Sequence, residues 1–210
     1  MKNLRSEIIK YSKMLNSKKL SALRSGNISL RYKDGFLITP SGKKYSSLKS
    51  RDIVFVSLNG YFDKKREFLH LSGNFIKIST ETKKDAKAIV HAHSTCATAV
   101  STHKRGIPSF HYMVAMAGGH DIKCAKYATF GTRELSKNIL KALNGRKACL
   151  ISNHGQIAFE ESLSKAFELA EEVENISLQY ITSLKLGKPK ILSIYEMKKV
   201  LSKAKNYKNG

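Results

Sequence analysis

The sequence predicts an α/β fold of three layers, with helices on both faces of a central, mostly antiparallel sheet. Three observations lead there. Two alternating segments joined by a Lys33-Asp34-Gly35 turn read as an N-terminal hairpin. Apolar strand-like runs then alternate with helical stripes through the second half of the chain. Finally, the order mixes hairpins with strand–helix units, which suits a mostly antiparallel sheet between helical layers.

The elements follow in order. "MKNLRSEIIKYSKML" reads as an amphipathic helix with Leu4, Ile8 and Leu15 inward; it lacks the continuous apolar stretch and cleavage site of a signal peptide. "SGNISLRY" (25–32) and "DGFLITPSG" (34–42) form the hairpin, and "DIVFVSLNGYF" (52–62) is a further strand ending at Asn59-Gly60. Residues 74–84 carry only Phe75, Ile76 and Ile78 as apolar anchors and read as a weakly marked helix. "AKAIVHAHST" (86–95) is a strand entering a helix at Ser94 or Thr95. In "TFGTRELSKNILKALNG" (129–145), Thr132 is the cap, Glu134 sits in the first turn, and Asn144-Gly145 is the stop. "RKACLISNHGQIAF" (146–159) is a pair of short strands broken at Asn153-His154-Gly155. The long helix over 162–187 is capped by Ser162 and buries Leu163, Ala166, Phe167, Ala170, Val173, Ile176 and Ile181. "SIYEMKKVLSKAKNY" is a final basic amphipathic helix.

With 41% hydrophobic and 26% charged residues, the chain has an ordinary globular composition, read as one domain over 1–210. No apolar run is long enough to span a bilayer, so no membrane partner is expected. Three widely spaced cysteines, with no CxxC pair, argue against a disulfide framework and for a reducing cytoplasm. The outlier is charge: 38 Lys+Arg against 16 Asp+Glu, a net +22. An anionic small substrate, a membrane surface or nucleic acid could each answer it. The lysines are scattered and not interleaved with aromatics, which argues against nucleic acid and for a generally basic surface.

The chemistry concentrates in "AIVHAHS" (88–94). Residues i and i+2 of a strand share a face, so His91 and His93 project side by side. Alone, the pair reads either as metal ligands or as core histidines. His154 follows a buried-looking strand and precedes Gly155; three imidazoles at strand ends make a zinc shell with an open position. His70, His103, His111 and His120 lack that placement and read as surface or cap residues. "SGN" (25–27) and "TPSG" (39–42) are glycine turns whose N–H groups, with the Asn27 and Ser41 side chains, could hold an anion or could be ordinary turns.

Across nearly the whole chain, "SGNISLRY…DGFLITPSG", "AIVHAHS", "IPSFHYMVAMAGG", "YATFGTRELS" and "SNHGQIAF…ELAEEVE" resemble the class II (zinc) aldolase/epimerase/adducin family, most of all its L-fuculose-1-phosphate aldolase branch. The resemblance implies a class II aldolase-like fold, a homotetramer, and one Zn2+ per subunit, or another divalent ion, on His91, His93 and His154. It implies cleavage of a phosphorylated sugar, a ketose 1-phosphate, to dihydroxyacetone phosphate and an aldehyde. Gly26, Asn27, Ser41 and Gly42 match the phosphate-binding residues. Tyr112, from a neighbouring subunit, matches a tyrosine serving the aldehyde oxygen, and Tyr207 matches one that closes over the aldehyde end.

One stretch departs from the family. The family reads "PSSE" about nineteen residues before the first histidine, its glutamate being the acid/base; here "FLHLSGNF" puts His70 and Leu71 at the serines and Ser72 at the glutamate. A serine hydroxyl cannot replace a carboxylate as a base near neutrality. Glu67 or His70 could substitute. A sugar-phosphate dehydratase of the same fold, or a weakly active metal-binding homologue acting as an interaction protein, are the alternatives. The match in "IPSFHYM…YATFGTREL" puts aldol cleavage ahead of dehydration.

Overall fold

A computed structural model describes residues 2–57 and 86–207. Helix α1 (Lys2–Ser17) buries Ile8 and Leu15, with Leu4 partly covered, as its apolar spacing requires. Strands β1 (Asn27–Tyr32) and β2 (Gly35–Ile38) form the expected hairpin, with Tyr32 paired to Gly35 across a turn at Lys33 and Asp34. The second strand is shorter than the sequence suggests. It stops at Ile38, and residues 39–42 turn instead of extending. Likewise β3 (Val54–Ser57) starts two residues late, because Ser50–Asp52 winds into a 3-10 turn closed by the Asp52 carboxylate on the Lys49 N–H.

Strand β4 (Ala88–Ala92) leads through Ser94 into α2 (Thr95–Thr102). A 3-10 segment (Tyr112–Ala117), the two-residue strand β5 (Cys124–Ala125) and α3 (Arg133–Ala142) follow, the last capped by Thr132 accepting the Leu135 N–H. Strands β6 (Ala148–Ile151) and β7 (Gly155–Glu160) precede α4 (Leu163–Lys185) and α5 (Ile194–Tyr207). The α4 stripe is as expected except that Tyr180 is buried and Ile181 only partly so.

The seven strands form one sheet, ordered β3-β2-β1-β4-β7-β6-β5. Every pairing is antiparallel except β5 with β6. Ala88, Val90 and Ala92 of β4 pack into a core with Ile8, Phe167 and Val173, on the face covered by α1, α2 and α4. Ile89 points the other way, into a second core with Leu135 and Ile139 of α3, Ile151 and Ile157. Each Val, Ile, Leu or Phe among them contributes roughly 1.5–3 kcal/mol on burial. The three layers predicted by the sequence are therefore present, and the period-2 alternation of β4 carries His91 to the α3 face with Ile89. No helix among the described residues is long and apolar enough to cross a membrane.

Candidate active site

At the C-terminal end of β4 the three histidines meet. His91, His93 and His154 each present one ring nitrogen, all within 4.8 Å of one another. Their ring centroids are 4.8–4.9 Å apart and tilted by 69–80°. The His91 and His93 Nε2 atoms are 3.1 Å apart, close to the ~3.3 Å that two imidazoles on one tetrahedral ion require.

The backbone puts them there. His91 lies on the α3 face of β4, His93 follows one residue past the strand's end, and His154 lies in the turn between β6 and β7. Asn153 adopts a left-handed φ of 55° to make that turn, and the His154 N–H closes it on the Ile151 carbonyl. Gly155 must follow, because a Cβ there would meet the Ala92 carbonyl oxygen at 2.4 Å.

Two supporting shells hold the rings. His91 Nδ1 lies 2.8 Å from the Gln156 carbonyl, which fixes the proton on Nδ1 and leaves the Nε2 lone pair for a ligand. The Gln156 side chain is itself buried, donating to Ser94 Oγ (2.7 Å) and to the Ala170 carbonyl (3.0 Å). The His93 N–H donates to Ser21 Oγ at 3.0 Å. From α4, the Glu174 carboxylate accepts the N–H groups of Cys96 (2.7 Å) and Ala97 (2.8 Å), capping α2 just beyond the histidine strand.

Burial keeps the cluster neutral. It pushes His91, only 9% exposed, well below its ordinary value, with His93 and His154 adding repulsion. It takes His93 down to about 4 and lowers His154 as well. Neutral imidazoles are what a metal ion requires, and three of them, with His91 oriented by the Gln156 carbonyl, fit a divalent metal ion.

The histidines floor a cleft of about 520 Å³ that also takes in Gly26, Asn27, Ser41 and Gly42. Asn27 is paired directly with His91 in the β1–β4 ladder. Gly26 and Gly42 have left-handed φ angles of 78° and 73°, the backbone conformation from which anion-binding concavities are made. At Gly26 no other residue fits, since a Cβ would lie 2.5 Å from the His91 carbonyl oxygen. The wall adds the apolar Phe130, Leu135, Ile139, Ile151 and Ile157, together with Tyr127 and the polar Arg24 and Asn153. Among the described lining residues there is no carboxylate.

The predicted metal and phosphate residues thus come together in one chain, and Tyr112 does not join them. It opens the 3-10 segment whose Val114, Ala115 and Ala117 pack into the α4 and α5 side of the molecule, across the sheet from the cleft, and it is 53% exposed. His111 caps that segment by accepting the Met113 N–H, and His103 ends α2, in keeping with their predicted roles. Tyr207 is the last residue of α5. Ser72, with Glu67 and His70, lies outside the described residues, as does the helix expected over 74–84. Ser21, Arg24, Gln156 and Glu174 were not singled out by the sequence; Glu174 stands 78 positions from Cys96, and no local pattern links them.

The chain is similar to known proteins over most of its length. The chain is 46% identical over 184 residues to the L-fuculose phosphate aldolase of Escherichia coli, covering 87% of this chain and 85% of that one. It is 42% identical over 204 residues to the 5-methylthioribulose-1-phosphate/5-deoxyribulose-1-phosphate aldolase of Rhodospirillum rubrum, covering 97% and 92%. A solved structure of an L-fuculose 1-phosphate aldolase superposes with a TM-score of 0.93 at 36% identity, over 98% of this chain and 97% of that one. Residues 6–181 match the family described as Class II Aldolase and Adducin N-terminal domain, and the chain belongs to that family.

Proposed function

We propose that the protein is a divalent-metal-dependent aldolase that cleaves a ketose 1-phosphate into dihydroxyacetone phosphate and an aldehyde. The observation that carries this reading is the sharing of one cleft by three neutral imidazoles and a glycine-turn anion cradle, joined across the Asn27–His91 pair. The names of the two sequence relatives described above support it, as both act on sugar phosphates.

His91, His93 and His154 would hold a divalent ion, and a three-imidazole set with an open position suits zinc. When bound, it supplies Lewis-acid polarisation of the ketose oxygens. Gly26, Asn27, Ser41 and Gly42 take the phosphate and so set the distance at which the sugar carbons meet the histidines. Leu135, Ile139 and Ile157 give the cleft a buried apolar wall, with the exposed Phe130 at its edge. The bond between C3 and C4 breaks. The C4 hydroxyl loses its proton, and C3 of the three-carbon phosphate takes one.

Tyr112 serves the aldehyde oxygen of a neighbouring subunit, which accounts for its exposure on the far side of its own sheet, and Tyr207 closes over the same end. Both roles require the homotetramer. The phosphorylated substrate also gives the positive charge one anionic partner, without nucleic acid. Ser72 stands where the family's acid/base carboxylate is expected, and no carboxylate lines the cleft among the described residues, so turnover is slow unless Glu67 or His70 supplies the base. That missing carboxylate also favours a second reading, dehydration of the same class of substrate.

The test is incubation of metal-loaded protein with L-fuculose 1-phosphate and with 5-deoxyribulose 1-phosphate, assaying dihydroxyacetone phosphate. Its release supports the aldolase reading. Loss of the ketose without it supports dehydration.

A further inference from the structure

We propose that Arg24 is the charged clamp of the phosphate subsite, gripping the dianion from the rim; the inference rests on reading the cleft as a site for a phosphorylated substrate. Among the described residues that line the cleft, Arg24 is the one permanently charged side chain. The remaining donors, from Gly26, Asn27, Ser41 and Gly42, are neutral. A phosphate monoester carries about −1.5 to −2 charges near neutrality, and taking it from water into neutral donors alone leaves much of its solvation uncompensated.

The position of Arg24 is built. Its Nη1 donates to the Gly42 carbonyl at 3.2 Å, so the side chain bridges the two glycine turns that frame the anion cradle. The turn that carries it is fixed from below. The buried Tyr45 hydroxyl donates to the Gly26 carbonyl (2.7 Å) with the Ser25 carbonyl 3.2 Å away, and Ser25 N–H and Oγ both donate to the Ala22 carbonyl (2.9 and 2.8 Å). Leu23 takes a left-handed φ of 50° to make the turn. Among the described residues no carboxylate pairs with Arg24, and none lines the cleft to compete for it. One guanidinium donor is spent on Gly42, and the planar fork has others to offer two phosphate oxygens at once, which an ammonium group cannot do in the same geometry. Arg24 therefore selects phosphorylated over unphosphorylated ketoses.

Calorimetric titration of the zinc-loaded protein with dihydroxyacetone phosphate, inorganic phosphate and unphosphorylated dihydroxyacetone tests this. Arg24→Gln should weaken both phosphate probes about 10- to 100-fold and leave dihydroxyacetone and zinc stoichiometry unchanged. Arg24→Lys should recover only part of the loss, and in turnover the change should fall on KM more than on kcat. Equal phosphate affinity in Arg24→Gln and wild type overturns the proposal, as does a wild type that binds neither phosphate probe. Arg24-dependent binding of inorganic phosphate in a protein that releases no dihydroxyacetone phosphate from ketoses leaves Arg24 in place and removes the aldolase reading instead.

Discussion

Asn27 and His91 face each other across the β1–β4 ladder, and the residue before Asn27 approaches His91 so closely that only glycine fits. The Gly26 turn and the histidine cluster are thus held by the same pair of strands, and a disturbance of either strand reaches both. Gly26→Ala should reveal this coupling. Its left-handed φ costs about 1–3 kcal/mol for an alanine, and the 2.5 Å approach to the His91 carbonyl adds strain. Gly42→Ala has nothing within 4 Å and carries the conformational cost alone. Urea denaturation should therefore place Gly26→Ala below Gly42→Ala, and only Gly26→Ala should also weaken metal binding.

Metal content is the next expectation. Purified wild-type protein should carry about one divalent ion per chain, measured by plasma emission, because three imidazoles and one open position make a single tetrahedral site. His91→Ala or His154→Ala should empty it while leaving the circular dichroism spectrum intact. Full metal content in both variants would place the ion elsewhere.

Glu174 holds the N-terminus of α2 through two backbone N–H groups. Glu174→Gln keeps one acceptor and turns an amide N–H₂ toward the other donor, so it should cost about 1–3 kcal/mol in chemical denaturation. A loss of a few tenths would mean that solvent replaces the contact.

The metal-free protein should lose stability in acid for an identifiable reason. The folded-state values of His91, His93 and His154 lie below the unfolded value near 6.5, so the unfolded chain binds protons that the folded chain refuses. Their neutral forms cost nothing above about pH 6.5, and stability should fall as the pH drops from there toward about 4, where His93 titrates. Urea midpoints between pH 7.5 and 4.5 measure the slope, and His93→Gln should flatten it. A slope unchanged by that substitution would assign the acid sensitivity to other groups.

Ser72→Glu tests the departure from the family pattern. Restoring a carboxylate acid/base should raise kcat, by up to about 10²–10⁴-fold where no other group acts. An unchanged kcat would assign the proton transfer to another side chain, with Glu67→Gln and His70→Gln the variants that would find it.

Much of this molecule was legible because its signals are local. The β1–β2 turn, the Thr132 and Ser162 caps and the alternation in "AIVHAH" each depend on a few neighbouring residues, and each is found where expected. The two-residue β5 escaped because so short a strand has no period, and it exists only by pairing with β6. The 3-10 turns at Tyr45–Ser47 and Ser50–Asp52 were equally silent. Within the site, the histidines and glycine turns were candidates by spacing and type, and took their roles from the family resemblance. Gln156 and Glu174 act through contacts made by folding, and Arg24 is one arginine among many basic residues until Gly42 is brought beside it. Tyr112 shows the opposite limit: its placement across the sheet follows from packing that one chain's sequence pattern does not carry.

The most direct test of the account is an aldol-cleavage assay on zinc-loaded protein with L-fuculose 1-phosphate or 5-deoxyribulose 1-phosphate. The account predicts dihydroxyacetone phosphate above the metal-free background, and its loss in His154→Ala. Consumption of neither ketose by fully metal-loaded protein, or consumption that yields no dihydroxyacetone phosphate, would contradict it.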